Sequence, residues 1–112
     1  MIDYSVLSDF EINKKVAIIA IDYEDMSPFI PMNGTSSVQY GDGARWHHYD
    51  PCNNPSDAWP IIVENKININ HMKIENCWEA FNYYHHGIDA THTNPLRAAM
   101  IVFLMMKDAE KL

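Results

Sequence analysis

Asn94-Pro95-Leu96-Arg97-Ala98-Ala99-Met100-Ile101-Val102-Phe103-Leu104-Met105-Met106 is the stretch from which the fold is read. Asn94 carries a side-chain oxygen suited to capping a helix, and Pro95 fits the first helical position, where its missing amide would have had no intrahelical acceptor. No helix breaker follows as far as Leu112. A surface helix normally shows one apolar stripe, yet Ala98 to Met106 is apolar around the whole circumference. Such a helix must be covered on several sides, either by sheet and helices of its own chain or by a second subunit.

Working back from it, Met72 to Tyr84, with Cys77, Trp78 and Phe81, reads as strand, with a turn near Asn82 or Gly87. Ile67-Asn68-Ile69-Asn70 alternates as a short strand. Before it, Asp50-Pro51-Cys52-Asn53-Asn54-Pro55-Ser56-Asp57-Ala58-Trp59-Pro60-Ile61-Ile62 reads as a strand exit followed by a helix ending near Asn65. Pro60 is accommodated if the cap is Ser56 or Asp57, which keeps its ring in the first turn. Thr35–Tyr40 and Ala44–Tyr49 are β-compatible runs around a Gly41-Asp42-Gly43 turn. The rest of residues 22–43 reads as a long loop, functional or mobile.

The chain opens on a second clear helix. Ser8-Asp9-Phe10-Glu11 is a capping box, Leu7 and Ile12 are placed as a hydrophobic staple, and Ile12, Val16, Ile19 and Ala20 recur at helical spacing. Asn13, Lys14 and Lys15 are assigned to the opposite, polar side. The expected architecture is one α/β domain of α+β type over residues 1–112, an antiparallel sheet of three or four strands sandwiched by helices, in the order helix, hairpin, helix, strands, helix.

Charge narrows the function classes. The 112 residues carry a formal net charge of -7, which repels phosphate backbones and anionic membranes, so neither a nucleic acid nor a membrane is an expected partner. Only Asp22, Glu24 and Asp25 cluster, too few for an imitation of DNA. There is no signal-peptide pattern at Met1–Phe10 and no apolar run of spanning length. A cytoplasmic protein of a reducing compartment is expected, with Cys52 and Cys77 as free thiols.

The first helix start Tyr4-Ser5-Val6-Leu7-Ser8-Asp9-Phe10-Glu11-Ile12-Asn13, the Asp50–Ile62 block and the Asn94–Met106 block together resemble the NinX-like proteins, small tailed-phage proteins of unknown function. The element order is also similar to the phage α-β-α sandwich domain, although Pro55-Ser56-Asp57 departs from the Ser-Thr-Asp element that opens the middle helix there. What the resemblance implies is a phage accessory product acting inside a bacterial cell, and no reaction.

Three constellations invite chemistry. His47, His48, Asp50 and Cys52, with His85, His86, Asp89 and His92, include every common metal ligand type. Neighbouring strand residues point to opposite faces, however, and neither Cys-x-x-Cys nor His-Glu-x-x-His occurs, so no metal and no cofactor is expected. Cys52, near a helix start and close in sequence to His47 and His48, is the better placed of the two thiols for nucleophilic catalysis. The third pattern suits binding. Arg45, Trp46, His48 and Trp59 supply stacking planes and donors, while Asn54, Ser56, Asp57, Asn94 and Arg97 stand at two helix starts that can hold an anion if their ends meet.

These nine residues are the candidate ligand-binding set, with no catalytic group assigned. The leading expectation is a non-enzymatic protein that counters a host defence by sequestering a nucleotide-derived small molecule. The alternative is an inhibitor or regulator of a host or phage protein, acting through an apolar surface at Ile101 and Leu104 or through the 22–43 loop. A third is a small hydrolase using Cys52. Self-association into a homo-oligomer is expected from the final helix. A sequestering protein requires a closed aromatic pocket holding Arg45 or Arg97, a protein blocker an exposed apolar patch, and an enzyme a Cys52 thiol within reach of a base.

Overall fold

In the computed structural model, residues 2–21, 30–31, 36–41, 46–73 and 75–111 are described, the first strand by its backbone alone. A 3-10 turn over Tyr4–Val6 leads into α1 (Asp9–Ala20). Then come β1 (Ile30–Pro31), β2 (Val38–Gly41), β3 (Trp46–Tyr49), α2 (Pro55–Glu64), β4 (Asn68–Met72), β5 (Cys77–Phe81), β6 (Asp89–His92) and α3 (Pro95–Glu110). The strands form two antiparallel sheets, ordered β1-β2-β3 and β4-β5-β6. The molecule is an α+β mixture in the expected element order.

The middle layer is α3. One side lies on β4, β5 and β6, the other on α1 and α2. This accounts for the all-round apolar run, since Ala98 through Leu104, together with Met106, are buried. Ile69, Ala80 and Ala90 stand directly opposite one another across the second sheet and meet α3 from one side. Ile12, Val16, Ala58, Ile61 and Ile62 meet it from the helix side. Each large apolar side chain removed from water in this way stabilises the fold by about 1.5–3 kcal/mol. Ile101 and Leu104 therefore offer no surface patch, being only 6% and 2% exposed.

The local signals act largely as read. Asn94 Oδ1 accepts from the amides of Leu96 and Arg97, at 2.9 and 3.3 Å, with Pro95 in the first turn. At α1 the Glu11 amide donates to Ser8 Oγ at 3.1 Å. The Glu11 carboxylate takes the Ser8 hydroxyl at 3.2 Å instead of reaching the Ser8 amide. The expected first hairpin is present, with Val38 paired to Tyr49 and Gly41 to Trp46, so Gly41 ends a strand. Apart from β1, β2 and the residues leading into β2, the 22–43 loop lies outside the described residues.

Two readings are corrected. The cap of α2 is Asn54, whose Oδ1 accepts the Ser56 amide at 2.9 Å, and not Ser56 or Asp57. The Asp57 carboxylate is engaged elsewhere, accepting the Asp50 amide at 2.9 Å. Pro60 consequently falls in the helix interior, where it removes one hydrogen bond from the ladder. Its exposed position lets water take the freed carbonyl. Replacing Pro60 with Ala is expected to raise stability by about 2 kcal/mol, read as a shift of the urea midpoint.

The second correction concerns α1. Asn13 is fully buried, while Ile18 and Ile19 are 59% and 40% exposed, so the buried arc is turned toward Asn13 and Ala17. The cause is polar: the Asn13 amide makes three non-local hydrogen bonds, which hold that edge of the helix inward.

At the opposite end, Asn82 ties α2 to the second sheet. Its Nδ2 donates to the carbonyls of Asn65 and Lys66 at 3.0 and 3.1 Å, and its Oδ1 accepts the Tyr84 amide at 2.8 Å. The turn expected near Asn82 or Gly87 is found here, Gly87 taking a φ of +81° that only glycine adopts without strain.

Candidate functional site

The starts of α1, α2 and α3 meet. The link is the Asp50–Asn54 turn that follows β3, closed by the Asn53 and Asn54 amides donating to the Asp50 carbonyl at 3.0 and 2.7 Å. Asn94 Nδ2 donates to the Cys52 carbonyl at 2.7 Å and to Asn53 Oδ1 at 3.1 Å, which joins the α3 cap to the α2 approach. From α1, Asn13 Nδ2 donates to Asp50 Oδ1 at 2.6 Å and to the Ser36 carbonyl at 3.0 Å, and Asn13 Oδ1 accepts the Cys52 amide at 3.0 Å. Ser36 Oγ adds a 2.6 Å bond to Asp50 Oδ2.

Arg97 completes the junction from α3. Its guanidinium pairs with Asp9 Oδ1 at 2.6 Å and donates to the carbonyls of Ser5 and Leu7 at 3.2 and 2.7 Å. The residue is 6% exposed. Helix starts attract anions because their free amides and dipoles point outward. In this junction the anions are the protein's own, Asp9, Asp50 and Asp57, so a phosphate would have to displace or sit beside carboxylates. The chemistry of the junction is that of a buried polar clasp.

The sequence-derived ligand set is accordingly divided. Asn54, Asp57, Asn94 and Arg97 are brought together in or beside the clasp, and each is engaged in the hydrogen bonds given above. Ser56 and Trp59 lie on the exposed side of α2, Trp59 at 63% exposure. Trp46 and His48 point to one face of β3, and both are exposed. On its other face His47 stacks on Tyr40, with centroids 5.1 Å apart. Arg45 lies outside the described residues.

Cys52 is fully buried at the centre of the clasp, and burial pushes its thiol far above the usual range, the carboxylates of Asp9 and Asp50 adding to the effect. Its sulfur has no hydrogen-bonded base among the described residues, so the geometry required of a thiol nucleophile is not met. Cys77 is also free and donates to the Glu75 carbonyl at 3.4 Å. Among the described residues no three His, Cys, Asp or Glu side chains come within reach of one ion.

What sequence reasoning missed is a groove. It holds about 440 Å³ between the end of α1, the side of α2 and the second half of α3, with Ile19 and Ile21 on one wall, Pro60 and Ile61 on the other, and Phe103 and Lys107 on its floor. Tyr49 closes one end, and burial together with the charge of Asp57 pushes its hydroxyl up to about 12, so it remains a neutral hydrogen-bond donor. Elsewhere on α1 and α2, Ile18, Trp59 and Val63 are exposed, at 59%, 63% and 55%. Which face was buried could not be told before the clasp was known.

No helix among the described residues is long and apolar enough to cross a membrane. Neither a curated protein nor a solved structure matches the chain. A family model described as Bacteriophage P22, NinX matches residues 3–107.

Proposed function

The chain belongs to the bacteriophage P22 NinX family, and from that premise we propose that it is a non-enzymatic phage accessory protein acting inside the host cell by binding a protein. The observation that carries this reading is the set of exposed apolar side chains on α1 and α2, Ile18, Ile19, Trp59 and Val63, of which Ile19 also lines the groove between the helices. Grooves between helices take an amphipathic segment of a partner, whose spaced apolar anchors fill the trough. Asp57 and Glu64 on the α2 wall, in a chain of net charge -7, favour a partner segment with basic residues beside its anchors. Blocking a host defence component in this way needs no turnover.

Sequestration of a nucleotide-derived molecule has less support, because both terminal nitrogens of the buried Arg97 guanidinium are engaged, by Asp9 and two backbone carbonyls. The test separates the two. A photo-crosslinking amino acid at position 59, in infected cells, is expected to give one discrete crosslinked partner, lost when Val63→Glu is added. That change on an exposed site should move stability by no more than about 0.5 kcal/mol. A native mass spectrum showing a nucleotide-sized mass on the protein, with no crosslink from position 59, would return the function to sequestration; the same spectrum gives the subunit count.

A further inference from the structure

On the opposite side of α3 from the groove, the last turn of the helix borders a second cleft of about 600 Å³. The size lies within the roughly 300–1,000 Å³ of small-molecule sites. Its walls are mainly apolar, with Ile2, Tyr4, Ile88 and Met105 contributing. Among the described residues one formal charge lines it, the carboxylate of Asp108. That carboxylate accepts the hydroxyl hydrogen of Tyr4. It has no ion pair among the described residues, since Lys107 pairs with Glu110 and Lys111 makes none.

Charge and shape both point to one ligand class. Asp108 stands in the last turn of a 16-residue helix, where the unpaired carbonyls already make the local potential negative. A carboxylate can accept about four hydrogen bonds, and the Tyr4 hydroxyl fills one position. A smaller cleft of about 280 Å³ adjoins across Ile2, Tyr4 and Met105, and its charged lining residues are Asp3 and Asp89. Among the described residues, His86 is the one basic side chain on the rim of the larger cleft, exposed beside Gly87. An anionic ligand meets like charge here, and a neutral one leaves the carboxylate without a counter-ion.

We infer that this cleft binds a small organic cation, an ammonium or guanidinium group on an apolar body, with Asp108 as its counter-ion and Tyr4 as the residue that fixes the carboxylate. The apolar body lies against Ile2, Ile88 and Met105, and the charged head faces Asp108. The reading is independent of the groove, because no described residue lines both.

The test is calorimetric titration of the intact protein with phenethylammonium, its neutral counterpart 2-phenylethanol and the anionic 3-phenylpropanoate. The ammonium is expected to bind about tenfold or more tightly than the other two. Amide shifts in a parallel NMR titration should centre on Ile2, Ile88, Met105 and Ala109. Asp108→Asn should weaken the ammonium about tenfold and leave the alcohol unchanged. His86→Lys, at an exposed site that does not threaten folding, should weaken the ammonium and admit the carboxylate. Equal binding of ammonium and alcohol, no binding of any probe, or ammonium binding indifferent to both substitutions would each overturn the assignment. Val63→Glu, which bears on the groove, should leave this titration unchanged.

Discussion

Replacing Arg97 with Ala is expected to cost about 3–5 kcal/mol, the usual penalty for breaking a buried charge pair from one side. Domains of this kind have about 5–15 kcal/mol in total, so the variant should lose a large part of its stability and be mostly unfolded in moderate urea. The reason is in the partners: removing the guanidinium leaves the Asp9 carboxylate and the carbonyls of Ser5 and Leu7 without the donors that satisfy them. Those groups hold the approach to α1 against the start of α3, so the loss should appear as one cooperative shift of the urea midpoint. Lysine at the same position restores the charge but not the planar fork, and should recover less than half. Raised salt should leave the contribution of the pair nearly intact, in contrast to that of the exposed Lys107–Glu110 pair. A fully stable Ala variant would mean that the guanidinium is free for a ligand, and would revive sequestration.

The second large effect is expected at Asn13. Substituting Ala removes a donor shared by Asp50 and the Ser36 carbonyl, and strands the buried Cys52 amide, for a loss of about 3 kcal/mol. Asn13→Asp is the more informative change. It sets a second carboxylate against Asp50, where the amide nitrogen now sits at 2.6 Å, and like charges at that range raise the carboxyl pKa in the folded state above its unfolded value near about 3.9. The sign then follows from linkage. A group that is easier to protonate when folded supports the native state below its unfolded pKa, and that support is lost as pH rises through the folded pKa. Urea midpoints of this variant should therefore fall from pH 4 to pH 7 relative to the unsubstituted protein, and a flat difference would place the new carboxyl outside the clasp.

Legibility followed the range of the forces. The caps at Ser8 and Asn94 were readable because donor and acceptor lie within three residues of each other, and the all-round apolar run of α3 required cover whatever supplied it. The pairing of Arg97 was not legible because its partner Asp9 is 88 positions away, a distance at which spacing says nothing. The same holds for Asn13, whose partners at Ser36, Asp50 and Cys52 turn a polar helix position into the interior and push Ile18 and Ile19 outward. The groove was hidden by that single error of orientation. The cap of α2 shifted from Ser56 or Asp57 to Asn54 because Asp57 is engaged with the Asp50 amide.

A middle layer formed by the last helix also orders events in time. Neither the α1–α2 pair nor the β4-β5-β6 sheet can finish burying its apolar face until residues 95–110 have left the ribosome, since both faces close on that helix. At synthesis rates of about 5–20 residues per second, the earlier elements wait unsupported for several seconds, open to chaperones and proteases. Folding of this chain thus waits on the emergence of residues 95–110. A frameshift or stop codon ahead of Asn94 removes the shared core along with the helix, so even a late truncation amounts to loss of the whole fold.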